Sequence, residues 1–149
     1  MKRIREVEDL RMSLISILVV DDMQLWIRFV QTRIDQETNM RIVGVAKDGL
    51  EAVRKADELQ PHLILLDVDL PKLNGIEAAS QIRKVAPKAA ILFLSECSDL
   101  DVVHAALGAG GRGYLLKSAM SRDLVTAIEA VLQGKPFLSR GLIGQDDWR

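Results

Sequence analysis

The stretch GAGGRGYLLKS, residues 108–118, admits two readings, and the choice between them decides the fold. Its first six residues satisfy G-x-G-x-x-G, the glycine pattern of dinucleotide-binding turns. That pattern serves a pyrophosphate only when a strand leads into it and a helix leads out, so that the phosphates meet a helix N-terminus. Here the order is reversed. Val102, Val103, Ala106 and Leu107, ahead of the glycines, recur at helical spacing, and GYLL behind them reads as a short buried strand. The glycines are therefore expected to form a tight return, Gly110 ending the helix and Gly113 starting the strand, with no bound nucleotide. What the return delivers is Lys117.

Working outward, the same alternation runs through the chain. ISILVV (15–20), RIVGVA (41–46), HLILLD (62–67), AAILFL (89–94) and GYLL (113–116) read as strands that are apolar on both faces. Helical stretches separate them. Trp26, Val30 and Ile34 form one stripe; residues 49–59 form the second helix; Ile76, Ala79 and Ile82 lie on the third, after LPKLNG. Leu124, Ile128, Val131 and Leu132 mark the fifth. Pro61 and Pro87 stop helices just ahead of strands. Crossovers of this length make the strands parallel. Right-handed crossovers then put helices on both faces of one doubly wound five-stranded sheet. In such α/β folds the site lies at the carboxyl ends of the strands, where strand order reverses.

Bulk properties narrow the class. The 149 residues are 48% hydrophobic, which suits one domain with a proper core. The net charge of −1 lacks the basic surplus of a duplex-binding domain. Cys97 is the only cysteine, so no internal disulfide can form and a reducing, cytoplasmic location is expected. Residues 1–12, MKRIREVEDLRM, read as a charged extension without the apolar stretch of a signal peptide, and no apolar run is long enough for a membrane. Residues 135–149, ending in RGLIGQDDWR, lack periodicity and are expected to be a poorly ordered tail behind a domain spanning 13–134.

The strand ends carry the chemistry. The first strand ends in Asp21-Asp22, the third in Asp67, the fourth in Ser95 and the fifth in Lys117. Converging carboxylates repel one another and need a cation or a proton. Hard oxygen ligands with open positions suit Mg2+, and a lysine and a hydroxyl suit phosphoryl oxygens. An aspartate held in that company can act as a nucleophile and form an acyl phosphate.

VVDD, LLDVDLPKLNG, LFLS and GYLLK together resemble the receiver domain of bacterial two-component response regulators. GYLLKS and AVLQGKPFLS are most similar to the NarL/FixJ type. The resemblance covers nearly the whole chain. It implies a (βα)5 flavodoxin-like fold with strand order 2-1-3-4-5. By position it implies that Asp67 is phosphorylated, that Asp22 and Asp67 bind Mg2+ directly, and that Asp21 acts through water. Asp69 would offer its backbone carbonyl to the metal. Ser95 would be the switch hydroxyl, Lys117 the phosphoryl-pairing lysine, and Tyr114 the rotating aromatic along the output face. It further implies a sensor histidine kinase as donor, and a homodimer through the fourth helix, fifth strand and fifth helix.

Three positions depart from the family pattern. Asp69 adds a carboxylate beside the acceptor. Glu96 follows the switch serine where a small residue is usual. Ser118 follows Lys117 where a cis proline is common, so a trans bond is expected.

Plainer readings stand beside these. His62 and His104 have no partner at ligand spacing, Cys97 reads as filler, Trp26 as helix packing, Tyr114 equally as a static packing residue, and Ser95 as a cap of the fourth helix. Asp67-x-Asp69 also resembles the opening of a haloacid-dehalogenase-type phosphatase. Pro71, however, stands where that family wants Thr or Val, and the acid pair lies upstream instead of downstream. No helix-turn-helix pattern is found, so this chain by itself is expected not to bind operator DNA.

Overall fold

Aliphatic runs that cannot face water set the centre of the molecule. In the computed structural model, which describes residues 14–143, the strands are β1 (Ile15–Val20), β2 (Met40–Ala46), β3 (Leu63–Asp67), β4 (Ala90–Ser95), β5 (Gly113–Leu116) and β6 (Phe137–Leu138). They form one sheet in the order β2-β1-β3-β4-β5-β6, with every neighbouring pair parallel. The crossovers are α1 (Gln24–Asp35), α2 (Gly49–Leu59), α3 (Gly75–Val85), α4 (Leu100–Gly108) and α5 (Met120–Leu132). A 3-10 turn, Lys117–Ala119, joins β5 to α5, and the single-turn helix α6 (Arg140–Ile143) follows β6.

Side chains on a strand alternate between its faces, and here both faces are covered. Leu18, Val20, Ile64, Leu66, Ile91 and Phe93 pack with Ala52 and Ala56 of α2, Ala78 and Ile82 of α3 and Val103 of α4. Their neighbours Ile17, Val19, Leu63, Leu65 and Leu92 pack with Ile27, Val30 and Ile34 of α1 and Leu124, Ile128 and Val131 of α5. Each such large side chain contributes roughly 1.5–3 kcal/mol on burial, set against the entropy of ordering the chain. Because β1 lies between β2 and β3, the chain leaves β1 in one direction along the sheet and then turns to the other. That reversal opens a crevice at the carboxyl ends of β1 and β3.

Short polar residues start α2, α3 and α4. Asp48 accepts the N–H of Glu51 at 2.8 Å, Asn74 that of Glu77 at 2.9 Å, and Asp99 that of Asp101 at 2.8 Å. Each satisfies a donor that the first helical turn leaves free, worth about 1 kcal/mol. Ser95 does not cap α4, since Asp99 does.

The glycine return behaves as its order demands. It follows α4 and leads into β5. Gly110 has φ 122°, and its N–H bonds to Leu107 O while that of Gly111 reaches Ala106 O, both at 3.1 Å. These two bonds close the end of α4.

The C-terminal expectation needs correction. The sheet has six strands, not five: Phe137 and Leu138 pair with Gly113 and Tyr114 of β5. Ser139 is buried, its Oγ accepting the N–H of Leu116 at 2.8 Å and its N–H donating to Tyr114 O at 3.1 Å. Leu138 and Leu142 complete the core on the α4 side of the sheet. Residues 137–143 are therefore part of the fold; a two-residue strand is too short to display a period. The charged extension at 1–12, and Trp148, lie outside the described residues. Among the described residues, no helix is long and apolar enough to cross a membrane.

Candidate functional site

Asp21, the residue after β1, is pinned by its backbone. Its N–H donates to Ala46 O at 3.0 Å, and its Oδ1 accepts the N–H of Met23 at 2.9 Å. Its Oδ2 stands 2.7 Å from Lys117 Nζ. Asp67 ends β3, and its Oδ2 stands 3.5 Å from the same ammonium. Both acids and the lysine are buried, while Asp22 is exposed at the mouth. Carboxylate oxygens of Asp21, Asp22 and Asp67 all lie within 4.8 Å of one another.

One lysine faces three carboxylates, and Asp67 registers the imbalance. Burial first, then the neighbouring Asp21 charge, push its carboxyl up to about 7; Lys117 and the backbone N–H of Asp69 pull the other way. A hard divalent cation fits this donor set. It would take oxygen ligands, one of them solvent-facing, and would supply the charge that keeps Asp67 ionised. The loop behind Asp67 is tightly drawn. Gly75 N–H donates to Val68 O at 2.8 Å, and a Cβ at Gly75 would lie 2.0 Å from Asp67 O.

Ser95, at the end of β4, is fully buried, and its Oγ accepts the N–H of Cys97 at 3.0 Å. Tyr114 donates its hydroxyl to Cys97 O at 2.7 Å. Two of the predicted residues are thus tied to one residue of the β4–α4 loop, Cys97, through its N–H and its carbonyl. The expectation that Tyr114 lies along the outer face is not met here: the side chain is wholly buried, its ring stacked on Phe93 with centroids 6.3 Å apart. Burial of an apolar ring outweighs exposure once the hydroxyl has an acceptor. The same burial pushes the phenol up to about 12, against a smaller opposing pull from the Ser95 hydroxyl.

Among the predicted acids, Asp69 is exposed and its side chain stands outside the three-acid cluster; Glu96 is exposed as well. The peptide bond after Lys117 is trans. His62 sits at the opposite end of the sheet, its Nδ1 accepting the N–H of Ser16 at 2.9 Å. The residue that the linear pattern under-reads is Trp26. Its ring lies over Lys117, with Nζ 5.0 Å from the centroid. The signal available was that Trp26 is the apolar-stripe residue nearest the acid pair.

Fold and site define an open parallel α/β protein with an acid cluster and a buried lysine at its topological switch point. Within that class the family is shown: the response regulator receiver domain model matches residues 17–129, and the chain belongs to that family. It is 32% identical over 132 residues to the transcriptional regulatory protein LiaR of Bacillus subtilis, covering 89% of this chain and 63% of that protein. It is 32% identical over 121 residues to the response regulator protein VraR of Staphylococcus aureus, covering 81% and 58% respectively. A two-component response regulator of the LuxR family from Aurantimonas superposes with a TM-score of 0.84 at 32% identity, over 89% of this chain and 94% of that one. The chain thus spans about three fifths of the length of these curated relatives. The phosphatase alternative finds no support: Asp69 is exposed, and the acids that converge on Asp67 come from β1.

Proposed function

We propose that this receiver accepts a phosphoryl group on Asp67 from the phosphohistidine of a sensor kinase, in a Mg2+-dependent reaction, and relays the change through its surface. The observation that carries the reading is the lysine shared between Asp21 and Asp67, at 2.7 and 3.5 Å, inside a three-acid cluster. A carboxylate oxygen of Asp67 attacks phosphorus, the P–N bond breaks, and the imidazole leaves with that electron pair and takes up a proton. Hydrolysis is the return: water attacks phosphorus, the acyl–phosphate bond breaks, and inorganic phosphate leaves Asp67 free.

Asp22 and Asp67 would hold the metal, with Asp21 acting through water and Asp69 through its backbone carbonyl; the ion supplies positive charge to the phosphoryl oxygens. Lys117 exchanges Asp21 for a phosphoryl oxygen as charge spreads over the transferring group. Ser95 Oγ, now accepting from Cys97, still has its own proton to donate to that group. Tyr114 is coupled to the same loop by its bond to Cys97, which is a route from the acceptor to α4, β5 and α5. A homodimer through that surface is the proposed output. Asp69 and Glu96, exposed near the acceptor, set the lifetime of the phosphorylated state by repelling or positioning water. Sequence-specific DNA binding is not expected of residues 1–149 alone.

The test is treatment of the purified chain with acetyl phosphate or beryllofluoride and Mg2+. One phosphoryl group from acetyl phosphate, or one beryllofluoride as its mimic, is expected per chain, with Asp67→Asn accepting neither. Uptake that survives in Asp67→Asn would remove the assignment.

A further inference from the structure

The indole of Trp26 lies over the Lys117 ammonium, and the chemistry above makes no use of it. Trp26 stands in the first turn of α1, half-buried and packed on the core shared with α5. Lys117 comes from the other end of the chain, and its side chain is only 4% exposed. The ammonium therefore has carboxylates at 2.7 and 3.5 Å and an aromatic ring at 5.0 Å. A ring face attracts a cation, and more strongly out of water. Unlike a carboxylate, it offers no single acceptor atom, so the cation can slide across it without losing the attraction.

We infer that Trp26 is a positioning residue. Its ring holds the Lys117 ammonium in the cleft while that ammonium exchanges Asp21 for a phosphoryl oxygen on Asp67. The inference rests on the reading of Asp67 as phosphoacceptor. Leucine at this position would fill part of the space and leave the cation without its platform; phenylalanine would keep a smaller one.

Phosphoryl uptake from acetyl phosphate with Mg2+ is compared in the wild-type chain, Trp26→Leu, Trp26→Phe, and Lys117→Gln with and without Trp26→Leu. Trp26→Leu should slow uptake by about tenfold, between the scales of an exposed and a fully desolvated cation–ring contact, as suits a half-buried ring. Trp26→Phe should recover most of the loss. In the Lys117→Gln background, Trp26→Leu should cost nothing further, because the ring then has no cation to hold. A wild-type rate in Trp26→Leu, a Phe variant no better than Leu, or an undiminished effect without the lysine would each overturn the inference.

A second readout needs no phosphoryl transfer and no change at Trp26. Trp148→Phe leaves Trp26 as the only tryptophan, and Lys117→Met should then shift its fluorescence emission; unchanged emission overturns the contact. If the wild-type chain takes up no phosphoryl group, the phosphoacceptor reading has failed, and the emission still decides whether the ring senses the lysine.

Discussion

Lys117 Nζ stands closer to Asp21 than to Asp67, 2.7 Å against 3.5 Å, so this buried cation leans toward an acid that is not the proposed acceptor. It bridges the ends of β1 and β3, the two strands between which the topology reverses. Its charge is what phosphoryl transfer would use. Lys117→Gln keeps a donor but removes the charge, and the rate of uptake from acetyl phosphate should fall by roughly 10²–10³, the usual loss for one electrostatic stabiliser. Rapid-quench assays of the two chains at equal Mg2+ check this, and a loss below threefold would contradict it.

Stability without metal should fall as pH rises. The Asp67 carboxyl lies at about 7 in the fold, against 3.8 as its ordinary value. The folded state therefore holds that proton more tightly than the unfolded chain. Its contribution is complete below 3.8 and is lost as pH rises through about 7. Urea denaturation in EDTA at pH 5 and pH 8 should show the greater stability at pH 5, with most of the difference gone in Asp67→Asn. Adding Mg2+ at pH 8 should restore stability, because the cation binds the ionised site of the folded state.

Tyr114 is the only tyrosine in the chain, so its titration can be followed by tyrosinate absorbance. Half of the phenol should be ionised only near pH 12 or on unfolding, since burial pushes it up to about 12. Tyr114→Phe loses the bond to Cys97 O but keeps the ring, and should cost about 1 kcal/mol. Tyr114→Ala empties the packing against Phe93 and should cost about 3–5 kcal/mol. Equal losses in the two variants would contradict this division between hydroxyl and ring.

Two glycines should respond in opposite ways. A Cβ at Gly75 would sit 2.0 Å from the backbone oxygen of Asp67, so Gly75→Ala must displace the acceptor loop; it should lower both the denaturation midpoint and phosphoryl uptake. At Gly108, the last residue of α4, a Cβ meets nothing within 4 Å. Gly108→Ala should be neutral or stabilising by up to about 1 kcal/mol, with uptake unchanged. Parallel melts of the two variants make the comparison.

The doubly wound sheet was legible because its signals are repeated. Five apolar runs alternate with five helical stripes, and strands that are apolar on both faces need helices to cover both. Asp21, Asp22, Asp67 and Lys117 were legible for a related reason: each ends such a run, and parallel strands bring those ends to one edge. What escaped was short or at an edge. Phe137 and Leu138 are two residues, too few for a period, and only pairing with Gly113 and Tyr114 makes them a strand. The family resemblance placed Tyr114 along the output face; burial of its ring, with an acceptor at Cys97 O for the hydroxyl, keeps it inside.

Residue order alone determined which side chains arrive at the crevice, because strand alternation and parallel crossovers leave little freedom in where each strand ends. It also disposed of the nucleotide reading of GAGGRG, since a helix precedes those glycines and a strand follows. Tertiary structure alone decided how charge is shared once the side chains meet. Lys117 lies nearer Asp21 than Asp67, Asp22 faces solvent while Asp69 stands apart, and the Trp26 ring covers the ammonium. Such preferences depend on distances of a few ångström and on exclusion of water, and both are properties of packed atoms, not of residue order.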